Sequence, residues 1–111
     1  MTKGVEMEIK NSQEFKDKVL GASLPVLVDF FATWCGPCRI YGPVVEKVAE
    51  SMSGKFDVYK VNVDENSQLA SEYGVRSIPT SIIFKNGSPV ESFSGALSED
   101  MLLNKLDKFM D

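Results

Sequence analysis

The eight residues "PVLVDFFA", Pro25 to Ala32, constrain the fold more than any other stretch. They are apolar almost without a break, and a strand apolar on both sides must be covered on both sides. The other segments supply that cover. "VEMEI", Val5 to Ile9, alternates as a short strand. "NSQEF" puts Asn11 three residues before Glu14, a capping box that opens a helix to about Leu20. In "RIYGPVVEKVAESM", Val44, Val45, Val48 and Met52 fall at helical spacing, with Pro43 predicting a kink and Gly42 loosening the turn. "FDVYKVNV" reads as a strand, and "SQLASEYG" as a short helix ended by Gly74. "TSIIFKNGSPVESFSG" is two strand-like runs around the favoured hairpin turn Asn86-Gly87. "SEDMLLNKLDKFM" closes as an amphipathic helix capped by Ser98, with Leu102, Leu106 and Phe109 on one side.

The order is β-α-β-α-β-α-β-β-α. Its early alternation implies parallel strands joined by right-handed helical crossovers, and the late hairpin adds an antiparallel edge. At 111 residues, 43% apolar and 25% charged, the chain is expected to form one domain over 1–111 with a core of ordinary density. Twelve basic against 16 acidic residues leave a net charge of −4, which argues against a phosphate-backbone binder, so no nucleic-acid partner is expected. The N-terminus "MTKGVEMEIK" lacks the apolar h-region of a secretory signal. No apolar run approaches the ~18 residues of a membrane span. The expected setting is the cytoplasm, with no membrane partner.

"WCGPC", Trp34 to Cys38, holds both cysteines of a chain that has no histidine. A structural staple is one reading, but closing so short a loop stabilises by only ~2 kcal/mol, against ~3 for a fifteen-residue loop. A zinc site is a second, but it wants four Cys or His ligands and the chain offers two. The third is a reactive pair, which a C-x-x-C beside a βαβ pattern favours. The strand ends near Ala32 and the next helix begins near Cys35 or Gly36. Unpaired N–H groups and the helix dipole there favour a Cys35 thiolate, the nucleophile of disulfide exchange. Pro37 suits the first helical turn, and Gly36 leaves room beside the first sulfur for an incoming disulfide. Cys38 follows within one turn, near enough to resolve a mixed disulfide. Cys35 is expected to be the more exposed thiol.

Asp29 is a carboxylate inside the apolar run. Two-residue alternation puts it on one face with Leu27 and Phe31. Burial there disfavours the charged form of a carboxylate. A partly solvated strand aspartate is the plain reading, and a proton acceptor for Cys38 the functional one.

"VLVDFFATWCGPCR", "KVNVDEN", "YGVRSIPT", "IFKNG" and "SGALS" together resemble the thioredoxin family in order and spacing, over nearly the whole chain. The resemblance implies an α/β thioredoxin fold, a central mixed five-stranded sheet flanked by four helices on both faces. It implies a protein-disulfide reductase, an electron carrier that keeps cell redox balance, with Cys35 and Cys38 as the redox pair and Asp29 assisting Cys38. It implies a supporting role for Lys60 near that aspartate, and a cis peptide bond before Pro79, facing the cysteines. It further implies target contacts by Trp34, Val75, Ile78, Pro79 and Gly95. The expected partners are disulfide-containing target proteins and a thioredoxin reductase drawing on NADPH. No resident cofactor or metal is expected, and the chain is expected to work as a monomer.

Phe31, Tyr41-Gly42 and Ser81 depart from the family's commonest residues, away from the thiols and Asp29, and bear on partner preference. Two rival functions go with this pattern. A disulfide oxidant or isomerase of the superfamily often carries histidine between the cysteines, where this chain has Gly36-Pro37. A binding subunit would lend its apolar face to a larger enzyme, and would survive replacement of both cysteines by serine.

Overall fold

The computed structural model describes residues 7–110. One sheet of five strands runs through it: β1 (Met7–Ile9), β2 (Val26–Phe31), β3 (Asp57–Asn62), β4 (Thr80–Lys85) and β5 (Ser88–Ser94). The first two residues of the expected "VEMEI" strand lie outside the described residues. Helices α1 (Ser12–Phe15), α2 (Gly36–Ser51), α3 (Ser67–Glu72) and α4 (Glu99–Asp107) fill the connections, giving the element order expected from the sequence. The strand order is β1-β3-β2-β4-β5. β1, β3 and β2 are parallel, whereas β4 runs antiparallel to β2 as well as to β5. The antiparallel half therefore begins one strand earlier than the hairpin alone suggests.

The apolar run sits at the centre of this order, as its composition demands. β2 alternates between two cores. Val26, Val28 and Phe30 pack with Phe15, Val19, Leu69 and Ala70, the side covered by α1 and α3. Leu27 packs with Tyr41, Val45, Val48, Ile83, Leu102 and Leu106, the side covered by α2 and α4. Asp29 shares the parity of Leu27 and therefore its face.

Local signals hold in detail. Asn11 Oδ1 accepts the Glu14 N–H at 2.9 Å, and the Glu14 carboxylate reaches back to the Lys10 N–H at 2.6 Å. That bond is the main cause holding the Glu14 carboxyl below its ordinary pKa. The helix so opened turns π-helical over Lys16–Leu20. Asn86 and Gly87 have φ of 54° and 78°, the pair of positive values a two-residue hairpin turn needs, between the partners Lys85 and Ser88. Gly74, at φ 69°, ends α3 with Val75 N–H donating to the Ala70 carbonyl at 2.9 Å. Ser98 Oγ accepts the Met101 N–H and opens α4. α4 stops at Asp107, before Phe109, which still packs on the same core. α2 is continuous across Pro43. No helix among the described residues is long and apolar enough to cross a membrane.

Candidate active site

The sheet brings the site together at the carboxyl end of β2. The chain leaves β2 at Phe31 and passes through Thr33 and Trp34. Arg39 fastens that turn, its Nε and guanidinium Nη2 donating to the Thr33 carbonyl at 3.3 and 3.0 Å. Cys35 is the N-cap of α2, and its Sγ accepts the Cys38 N–H at 3.2 Å. Pro37 occupies the first turn, where no N–H is missed. A Cβ built on Gly36 would meet nothing within 4 Å, so the approach beside the first sulfur is open. Cys35 and Cys38 are joined as a disulfide, with Cα atoms 5.2 Å apart.

The two cysteines are 4% and 7% exposed, so the expectation that Cys35 is the more exposed does not hold. Both pack with Ala32 in a small cluster lined by Phe31, Val63 and Ile78, the last two reaching it from two other connections. What separates the two is the helix terminus. The Cys35 sulfur takes an orphan N–H, and the Cys38 sulfur lies one turn inside the helix.

The Ile78-Pro79 peptide bond is cis, as the resemblance implied. It brings the Ile78 carbonyl to 3.9 Å from the Cys35 sulfur. Gly95 is exposed and donates its N–H to the Pro79 carbonyl at 2.8 Å, which ties the loop after β5 to this turn. Trp34 stands at the rim, 66% exposed, its indole N–H donating to Asp64 Oδ2 at 2.7 Å. Asp64 went unnoticed in the sequence, because the bond spans thirty residues. Trp34, Val63, Val75 and Ile78 line an open groove of about 210 Å³, with Arg76 and Ser77 at its edge.

On the other side of the disulfide lies a second cleft, of about 250 Å³. Cys38, Asp29 and Lys60 line it, together with Arg39 and Glu46. Asp29 is 3% exposed. Its partner across the parallel β2–β3 pair is Lys60, so the two side chains stand on one face of the sheet. Lys60 Nζ lies 5.4 Å from the centre of the Phe31 ring, a position that keeps its cation at this cleft. The expectation that the departing residues lie away from the thiols and Asp29 does not hold: Phe31 packs against the cysteine pair and Ser81 is the cross-strand partner of Asp29, while the Tyr41 and Ser81 hydroxyl oxygens are 2.7 Å apart with both side chains fully buried.

A model of the thioredoxin family matches residues 6–108. Thioredoxin 1 of Synechococcus elongatus is 53% identical over 96 residues, 86% of this chain and 90% of that one. The chloroplastic thioredoxin M-type of Pisum sativum is 42% identical over 105 residues, 95% of this chain and 61% of that one. Among solved structures, a mutant thioredoxin from Halobacterium salinarum NRC-1 superposes with a TM-score of 0.90 at 37% identity, over 100% of this chain and 96% of that one. Thioredoxin from Malassezia sympodialis superposes with a TM-score of 0.87 at 40% identity, over 98% and 95%. With a cysteine pair capping the helix that follows the central strand, and with these relatives along nearly its whole length, the chain belongs to the thioredoxin family of thiol–disulfide oxidoreductases.

Proposed function

We propose that the chain reduces protein disulfides in two steps, with Cys35 attacking and Cys38 resolving. The observation that carries this reading is the place of Cys35 as N-cap of α2, its sulfur accepting the Cys38 N–H. A hydrogen bond and a helix N-terminus both favour a thiolate at that atom. In the reduced protein the Cys35 thiolate attacks one sulfur of a target disulfide. A Cys35–target bond forms, the target's S–S bond breaks, and one target thiolate leaves. The Cys38 thiol gives its proton to the Asp29 carboxylate and its sulfur attacks Cys35. The Cys35–Cys38 bond forms and the second target thiolate leaves, so two electrons have passed to the target.

Burial of Asp29 supports its role, because a carboxylate in such surroundings takes a proton more readily than one in water. Lys60, its cross-strand partner, keeps a positive charge beside the site as the carboxylate gains and loses its proton. Gly36 and Pro37 shape the exposed turn over the first sulfur. The groove of Trp34, Val75 and Ile78 suits an apolar target segment beside its disulfide. The turn at Pro79 and the loop at Gly95, joined by the bond from the Gly95 N–H to the Pro79 carbonyl, frame the same edge. The family works with a reductase and with disulfide targets. For this chain we assign a thioredoxin reductase drawing on NADPH, target proteins in the cytoplasm, and a single working domain over 1–111.

Mixing the protein with a disulfide-containing target tests the order of attack. Cys38→Ser is expected to accumulate a covalent target complex through Cys35, and Cys35→Ser to accumulate none, as read by non-reducing electrophoresis and mass spectrometry. Trapping through Cys38 in the Cys35→Ser protein would reverse the assignment.

A further inference from the structure

Tyr41 packs in the core on this side of the sheet with Leu27, Val45, Val48 and Ile83, and its hydroxyl meets that of Ser81, fully buried on β4. Burying two hydroxyls is costly unless they are bonded, and their 2.7 Å contact meets that need. Two apolar side chains would meet it as well. What an apolar pair could not supply is a proton donor. Two hydroxyls carry two hydrogens, and their mutual bond uses one. Whichever oxygen donates in that bond, a second buried O–H belongs to the pair.

The register says what lies beside it. Ser81 is the direct partner of Asp29 across the antiparallel β2–β4 pair, so their side chains share a face with Cβ atoms roughly 5 Å apart. Tyr41 lies three residues after Cys38 on α2, one turn further along the helix face that carries the resolving sulfur. A row thus crosses the sheet from the Cys38 cleft: half-buried Lys60, then buried Asp29 and Ser81 and, reaching over from α2, buried Tyr41.

We propose that the Tyr41–Ser81 hydroxyl pair sets the proton affinity of Asp29 by donating a hydrogen bond towards its carboxylate, which makes Tyr41 a positioning residue for the resolving step. The proposal rests on the reading of Asp29 as acceptor of the Cys38 proton. A bond donated to the charged form favours that form. The carboxylate then stays ionised, and able to accept, at lower pH than burial alone would allow. Other ionisable groups face the same cleft: Lys60 from β3, and Cys38, Arg39 and Glu46 from α2. From β4 the contribution is Ser81, which does not ionise. The two departures from the family's commonest residues are on this account one device, since either hydroxyl alone would be a buried polar group lacking the other.

The direct test is a ¹³C carboxyl NMR titration of the oxidised protein, in which the cysteines do not titrate, with the Asp29 resonance assigned by its loss in Asp29→Asn. Tyr41→Phe and Ser81→Ala are each expected to raise the Asp29 midpoint by about one pH unit, and the double variant by little more than either. In the reduced protein the pH dependence of mixed-disulfide resolution is expected to move up by the same amount. If Tyr41→Phe does not fold, Ser81→Ala removes one atom from the same bond and reads the same shift. An unmoved midpoint with a lowered melting temperature would reduce the pair to packing and overturn the proposal. The two readings fail separately. A resolution rate indifferent to Asp29→Asn removes Asp29 from the mechanism and overturns the proposal through its premise. A clear Asp29→Asn effect beside an unmoved carboxyl midpoint overturns the hydroxyl pair alone.

Discussion

The groove on one side of the disulfide and the cleft on the other are similar in size, about 210 and 250 Å³, and opposite in chemistry. Val63, Val75, Ile78 and the rim tryptophan line the groove, with Arg76 as its one charged side chain. The cleft holds Asp29, Lys60, Arg39 and Glu46. Cys38 opens onto the charged cleft, while the Cys35 sulfur lies 3.9 Å from the carbonyl of Ile78, a groove residue. The two cysteines of one short motif, buried in one cluster, therefore border different surroundings. On the proposed mechanism, one short motif can thereby run two unlike steps. Capture of a target needs apolar contact and an anionic sulfur. Resolution needs a place to put a proton. Helix geometry separates the two by one turn, and the sheet provides each with its own surroundings.

The comparison can be broken from either side. The largest effect is expected in the cleft, where Asp29→Asn removes the proposed proton acceptor and slows resolution near neutral pH by about 10²-fold, with attack by Cys35 unchanged. A rapid-quench assay that separates mixed disulfide from product checks both rates. The fold is expected to hold, since a neutral amide lifts the desolvation cost of a buried charge.

In the groove, Ile78→Asp places a charge on the apolar surface proposed to contact targets. It is expected to slow attack on a protein target by about tenfold and leave resolution alone, as read from the target-concentration dependence of the first step.

Lys60→Gln returns to the cleft with a smaller change. A neighbouring cation favours an ionised carboxylate, so its loss raises the pH at which Asp29 is half ionised. The midpoint of the resolution rate is expected to move upward by about half a pH unit, with a smaller shift at high salt.

Gly36→Ala sharpens the boundary between the two sides. A Cβ there meets no part of the chain but enters the open approach beside the first sulfur, so attack on a protein target is expected to slow by about twofold with resolution unchanged, while helix propensity adds about 0.5 kcal/mol of stability in a denaturant titration.

Much of this arrangement is legible in the sequence because it is local. The central strand announces itself by an unbroken apolar run, the hairpin by Asn86-Gly87, and helix starts by Asn11 and Ser98. Each is a period or a turn requirement that a few adjacent residues carry. The cysteine pair and its helix N-terminus are local too. The parts that stayed hidden depend on which strands become neighbours. β4 runs antiparallel to β2, and only that pairing sets Ser81 against Asp29 and within reach of Tyr41, forty residues earlier. Trp34 finds Asp64 across a similar span. The near-equal burial of the two cysteines was illegible for the same reason: Val63 and Ile78 arrive from other connections and cover the motif. The cis bond before Pro79 follows from no composition rule, and the likeness of "VRSIPT" to the family alone pointed to it.

Single-turnover kinetics on one protein disulfide separates the proposed work of the two sides. Stopped-flow fluorescence of Trp34, the sole tryptophan, follows wild type, Asp29→Asn and Ile78→Asp across a range of target concentration and pH. Ile78→Asp is expected to slow only the concentration-dependent phase, and Asp29→Asn to slow only the concentration-independent phase and flatten its pH dependence, as a division of labour between the two sides requires. Both variants slowing the same phase, or Asp29→Asn leaving the second phase as fast and as pH-dependent as wild type, would contradict it.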